Sequence, residues 1–159
     1  MQKILVITGL PGSGKTTYLK EHQTEFGDAL ICDDYYKSAP GRVVQFNGGA
    51  YLKDALQKGK NVVIADIVFC EDELRKEMQE GLGALIKGLD IDAEVEYRFF
   101  ENNPEACIEN ILHRNRQNRV EEELKFIATH KDSYHIPAGA TVLPVLMQPL
   151  RVRVGSRLC

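Results

Sequence analysis

The stretch Gly9-Leu10-Pro11-Gly12-Ser13-Gly14-Lys15-Thr16 fits the spacing G-x-x-x-x-G-K-[ST] without exception. Its flanks agree with it. Upstream, Lys3-Ile4-Leu5-Val6-Ile7-Thr8 reads as a buried strand, and downstream Thr16-Thr17-Tyr18-Leu19-Lys20-Glu21 can open a helix. Glycines let successive backbone N–H groups turn inward around a polyphosphate, and the helix N-terminus that follows adds about half a positive charge. Gly9, Pro11, Gly12, Ser13, Gly14, Lys15, Thr16 and Thr17 are therefore the expected nucleotide-binding residues. Lys15 is expected to reach the β- and γ-phosphates. The Thr16 hydroxyl is expected to ligate Mg²⁺, which keeps several waters and takes one or two protein oxygens beside phosphate. The alternative is a glycine-rich turn that merely connects a strand to a helix.

Working outward, apolar runs alternate with helical patterns along the whole chain, and no repeat or low-complexity stretch interrupts them. That alternation predicts βαβ units and a mostly parallel sheet of about five strands covered by helices on both faces. At 159 residues the chain is expected to form a single domain, residues 1–159. A net charge of −3 argues against a broad basic surface for duplex nucleic acid and leaves room for a small basic groove. Cys32, Cys70, Cys107 and Cys159 show no C-x-x-C spacing, so neither a zinc site nor a redox pair is indicated. No run approaches a membrane span, and Met1-Gln2-Lys3 enters the first strand directly, so a cytoplasmic location without signal peptide or membrane partner is expected.

Three further stretches carry chemistry. Ala29-Leu30-Ile31-Cys32 runs apolar into Asp33-Asp34-Tyr35-Tyr36, a strand ending in paired acids, which in a parallel sheet face the ligand crevice. Asn61-Val62-Val63-Ile64-Ala65-Asp66 is a second such strand. Its Asp66 orients a Mg²⁺-bound water or hydrogen-bonds a mobile arginine near the γ-phosphate, or else simply terminates the strand or caps the next helix. Last, His113, Arg114, Arg116 and Arg119 crowd into a few residues of a chain that is acidic overall. They are either a solvated helix end complementing its negative pole or a lid, about residues 114–120, whose guanidinium groups close over phosphates.

Local patterns fill in the rest. Asn47 can cap a helix with Tyr51, Leu52, Ala55 and Leu56 on one face and Gly59 as its stop. Leu74, Met78, Leu82, Leu85 and Ile86 form the stripe of a longer helix stopped by Gly88. Residues 93–100 alternate by twos and are less apolar than a central strand should be, so the strand is partly exposed or its acids are covered through their stems. Asn103-Pro104-Glu105 starts a helix burying Cys107, Ile108, Ile111 and Leu112; a further helix carries Val120, Leu124, Ile127 and Ala128. Residues 141–147 read as a final strand that Pro144 places at an edge or next to a bulge, and Leu150, Val152 and Val154 as a further short edge strand. His22, His130 and His135 read as surface or packing residues.

Together, GLPGSGKTT, ICDDYY, VVIAD and the ILHRN helix end leading to SYHIPAGATVLPV resemble the small P-loop kinases, within them the polynucleotide-kinase-like branch. The resemblance implies a three-layer P-loop NTPase sandwich with an arginine-bearing lid, ATP as phosphoryl donor and Mg²⁺ as cofactor. It further implies Asp33 as general base toward an acceptor hydroxyl, Asp66 as the carboxylate near the lid, and Arg114 as a lid arginine joined by Arg119 or Arg116. Asp34 can orient a Mg²⁺ water, cap the next turn or itself be the base; Tyr35 and Tyr36 stand on the acceptor side as stacking or packing residues. Two positions depart from the branch. Tyr36 stands where an arginine for the acceptor's 3′-phosphate is expected, and Val68 where an asparagine is common. The resemblance implies a nucleic-acid 5′-hydroxyl or nucleotide-type alcohol as acceptor, and the two departures point to a nucleoside or sugar-like alcohol as the alternative. A nucleotide-dependent ATPase or switch is the rival of another class.

Overall fold

The computed structural model describes residues 1–33, 49–115 and 118–147. The elements run β1 (Gln2–Thr8), α1 (Lys15–Glu21), α2 (Gln23–Phe26), β2 (Leu30–Asp33), α3 (Gly49–Gln57) and β3 (Val62–Ala65). A single 3-10 turn (Val68–Cys70) follows, then α4 (Asp72–Leu89), β4 (Ala93–Phe100), α5 (Pro104–Arg114), α6 (Val120–His130) and β5 (Thr141–Leu143). All five strands pair parallel in the order β2-β3-β1-β4-β5.

The central place of β1 follows from its side chains. Successive residues of a strand point to opposite faces, so an unbroken apolar run needs cover on both. Ile4 and Val6 pack with Leu52 and Leu56 of α3 and Met78 and Leu82 of α4. Leu5 and Ile7 pack on the other face with Tyr18 and Leu19 of α1 and Phe26 of α2. The result is the three-layer sandwich expected from the alternation of elements. A third cluster, with Leu10, Phe99, Cys107, Ile111, Ile127 and Tyr134, seats α5 and α6 against the carboxyl end of the sheet.

The alternating pattern of β4 has a direct explanation. β5 pairs only with residues 98–100, so among the described residues nothing extends the sheet beside residues 93–97. On the face toward α1, Arg98 donates through Nε to Glu96 (2.8 Å), through Nη1 to the Tyr18 hydroxyl (2.8 Å) and through Nη2 to Glu25 (2.6 Å). The strand is partly exposed, and one guanidinium answers its Glu96 together with Glu25 of α2.

Several local expectations shift. Tyr51 is exposed, because α3 buries Leu52, Ala55 and Leu56 and turns the residue before them to solvent. α4 runs through Gly88 and ends where Asp90 adopts a left-handed conformation (φ 52°), its N–H bonded to the last turn. The first helix breaks at His22 into α1 and α2 before the Gly27 stop. The last strand ends at Leu143 instead of Met147, since Pro144 lacks a ladder N–H. Leu112 and Ala128 face solvent, while Asn110 takes the buried place beside Cys107 and Ile111. Asn103 does cap α5, accepting from the Ala106 N–H with Pro104 following. The Asn47 cap and the strand at residues 150–154 lie outside the described residues.

The Arg98 guanidinium holds the Glu25 carboxyl below its ordinary value of 4.5. A depressed carboxylate stabilises the fold above that value and loses its contribution as pH falls through the lowered one. Glu25 is largely solvated, so the gain at neutral pH is a few tenths of a kcal/mol, about that of an exposed ion pair. Urea melts of wild type and Glu25→Gln are expected to differ at pH 7 and to converge toward pH 3; a gap independent of pH refutes this account.

Candidate active site at the carboxyl edge of the sheet

Residues 9–14 leave the end of β1 and turn into α1, and the close contacts around them account for the glycines. Gly12 and Gly14 have φ of 81° and 102°, in the region that favours glycine. A Cβ on Gly12 would lie 2.4 Å from the Cys107 carbonyl oxygen, and one on Gly14 2.7 Å from Leu146 Cβ. The loop is thus pressed between α5 and the segment following β5.

Five carbonyls of the loop, those of Gly9, Leu10, Gly12, Ser13 and Gly14, are held by donors. Lys15 Nζ donates to Gly9 O (2.7 Å) and Leu10 O (3.2 Å). Ser13 N–H donates to Leu10 O, Leu146 N–H to Ser13 O, and Tyr18 N–H to Gly14 O, at 2.8 to 3.0 Å. Asn110 Nδ2 donates to Gly12 O (2.8 Å). A loop whose carbonyls are held in this way presents N–H groups on its other side, because the two groups of a trans peptide point in opposite directions. Among the described residues the fully buried Ser13 Oγ has no hydrogen-bond partner, a polar atom still open to a ligand oxygen or water. Backbone donors, the Lys15 ammonium and the Thr16 hydroxyl at a helix N-terminus suit a polyphosphate with its Mg²⁺, so the residues present fit both groups.

Two acids come to the same edge. Asp66, 4% exposed, follows β3 directly, and its N–H donates to Ile7 O at 3.0 Å. Asp33 ends β2 opposite Ala65, which itself stands opposite Ile7. Asp33 is therefore two strands from β1, about 10 Å along the sheet edge at normal strand spacing.

No family model matches the chain, and no curated protein matches it in sequence at a significant level. Solved structures do match. A gluconokinase from Sinorhizobium meliloti 1021 shares 16% identity with a TM-score of 0.58, over 93% of this chain and 85% of its own. A fungal RNA kinase shares 14% with a TM-score of 0.63, over 92% and 75%. The chain has the fold of the P-loop kinases. A chain of the Pnkp1/Rnl/Hen1 RNA repair complex also matches, at 16% identity and a TM-score of 0.52, over 86% of this chain and 48% of that longer one. At these identities the likeness is one of fold.

On this P-loop kinase fold, the residues expected from sequence are distributed as follows. Gly9 through Thr17 form the loop and the first turn of α1, with Asp66 and the backbone of Asp33 at the same edge. Arg114 closes α5, and its Nη2 lies 3.2 Å from both carboxylate oxygens of Glu123 on α6, while its buried Nε has no partner among the described residues. Arg119 is exposed at the start of α6. Asp34, Tyr35, Tyr36 and Arg116 lie outside the described residues.

Four contributors escaped the sequence reading. Asn110 and the Leu146 N–H hold the loop from outside. The Tyr134 hydroxyl donates to Phe100 O at 2.6 Å, with Thr8 O at 3.2 Å, and so joins the ends of β1 and β4; burial raises its pKa well above the ordinary phenol value. Buried Arg75 donates to Phe69 O and His135 O, pairs with Asp72, and lies 5.6 Å from the Phe99 ring centroid. His130 and His135, read as surface or packing residues, meet Glu71 and Asp72 at 2.9 Å each. They join the connection after α6 to the start of α4, just beyond Asp66. Burial pushes the Cys70 thiol up to about 12 and the Cys107 thiol to about 11, so both stay protonated packing groups.

Tyr134→Phe removes the one buried O–H donor that serves Phe100 O and lies near Thr8 O, a loss of about 1–3 kcal/mol. Chemical denaturation is expected to show that loss; a shift below half a kcal/mol, on the order of a surface substitution, contradicts the assignment.

Proposed function

We propose that the chain is an ATP-dependent kinase that transfers the γ-phosphoryl group to an acceptor hydroxyl. The observation that carries this reading is the carbonyl-anchored loop with Lys15 and Thr16, at whose sheet edge Asp33 and Asp66 also stand. Its likeness in fold to a gluconokinase and an RNA kinase supports the same reaction class.

In the proposed reaction the acceptor oxygen bonds to the γ-phosphorus as the bond to the β-bridging oxygen breaks, and ADP leaves. Asp33 takes the hydroxyl proton, with Asp34 as the other carboxylate in reach of that role by sequence. Such transition states are loose, so positioning and charge matching on the equatorial oxygens dominate. Lys15 and the loop amides supply that charge. Arg114 joins them by exchanging Glu123 for phosphate oxygens, and Arg119 or Arg116 is the second cation of the lid formed by residues 114–120. Thr16 and Asp66 would hold Mg²⁺, which when bound neutralises charge on the β- and γ-phosphates. Closing the lid excludes water and limits idle hydrolysis.

For the acceptor, we favour a nucleic-acid 5′-hydroxyl or nucleotide-type alcohol, on ICDDYY and the fold shared with the RNA kinase. A small nucleoside or sugar-like alcohol is the second reading, supported by Tyr36, Val68 and the fold shared with the gluconokinase.

ADP release is to be measured with 5′-hydroxyl oligoribonucleotide, nucleoside and gluconate in turn. Asp33→Asn is expected to lower transfer by about 10²–10⁴-fold with ATP binding retained, and Lys15→Ala to lose both. Acceptor-independent hydrolysis that survives Asp33→Asn would mark an ATPase instead; no turnover with any acceptor would mark a nucleotide-binding protein without catalysis.

A further inference from the structure

The geometry points to Asn110 as a positioning residue that locks the phosphate loop in its binding shape and ties it to the helix ending at Arg114. This rests on the nucleotide-binding reading of residues 9–16.

Asn110 is 1% exposed on a helix face otherwise made by Cys107 and Ile111. A side-chain amide has two N–H donors, and its nitrogen meets two carbonyls, Gly12 O at 2.8 Å and Leu146 O at 2.9 Å. Those carbonyls belong to the loop and to the segment after β5, which meet again where Leu146 N–H donates to Ser13 O at 3.0 Å. Three chain segments far apart in sequence therefore converge on one buried amide.

The consequence for the loop is specific. Holding Gly12 O and Ser13 O on the outer side turns the N–H groups of Ser13 and Gly14 to the other side. The Ser13 N–H closes the turn onto Leu10 O, and the Gly14 N–H is directed at the hollow where a phosphate oxygen would sit. Arg114 follows Asn110 by four residues on the same side of α5, so the anchor also sets the distance between hollow and arginine. The residue type matters. An aspartate would set acceptor oxygens against two carbonyl oxygens, and an apolar residue would leave both carbonyls buried without a donor.

The test is calorimetric titration of MgADP and of AMP into wild type, Lys15→Ala, Asn110→Asp and Asn110→Ser, with Leu85→Ala as control. Leu85 packs in the core on the far face of the sheet, away from the loop. Asn110→Asp is expected to weaken MgADP by about tenfold or more and AMP by less than about twofold, since the loop acts on the second phosphate. Asn110→Ser, which keeps one hydroxyl donor, should fall between, and Leu85→Ala should lower Tm without changing MgADP affinity. If Asn110→Asp does not melt cooperatively, Asn110→Ser decides. MgADP affinity within about twofold of wild type in the folded Asn110 variants, while Lys15→Ala has lost it, overturns the inference and leaves the nucleotide reading standing. Equal losses for MgADP and AMP, or failure of both Asn110 variants to fold, overturns it too by marking a purely structural role. Wild type that binds no MgADP removes the nucleotide reading and this inference together.

Discussion

A backbone can offer several N–H groups to one anion only if the carbonyls of the same peptides are held somewhere else, because each peptide carries both groups in opposite directions. The carboxyl half of the sheet shows such holding of carbonyls around residues 9–14. Gly9 O and Leu10 O are held by Lys15, Gly12 O by Asn110, Ser13 O by Leu146 and Gly14 O by Tyr18. The partners come from α1, from α5 and from beyond β5, so the loop takes its shape only when most of the chain is in place. The close packing against Cys107 and Leu146 follows from the same demand, and it leaves no room for a Cβ at Gly12 or Gly14.

The remaining polar groups of that half serve the same frame. Tyr134 joins the carbonyls that end β1 and β4, and Arg75 gathers the carbonyls of Phe69 and His135 under α4. The turn after Asp66 is thereby bound to the connection between α6 and β5, which leads on to Leu146 and the loop. Buried polar side chains are costly when half satisfied, so such a network favours a single arrangement of the edge. The opposite half of the sheet has no such task and is a conventional apolar sandwich, with Arg98 answering the acids on its partly exposed flank.

Much of the fold was legible in the chain, and for local reasons. The apolar run of residues 4–7 required cover on both faces, Asn103-Pro104-Glu105 carried its own helix start, and GLPGSGKTT marked the tight turn between β1 and α1. Local pattern misled where burial is set by neighbours. The periodicity of α5 set Leu112 inward with Cys107, Ile108 and Ile111. Docking against the loop rotates the helix so that Asn110 is buried and Leu112 exposed. A helix stop at Gly88 gave way to one at Asp90, since glycine permits a break without enforcing it.

What the amino-acid sequence alone determined is the order of elements, the central buried strand and the glycine-rich loop between β1 and α1, because each depends on residues close together in the chain. Only the tertiary structure decided which groups hold that loop open. Asn110 lies 98 residues from Gly12 and Tyr134 126 residues from Thr8, and in sequence nothing links a buried asparagine in one helix to a carbonyl of another element. Hydrogen bonds of that separation form through packing, and packing is a property of the assembled layers.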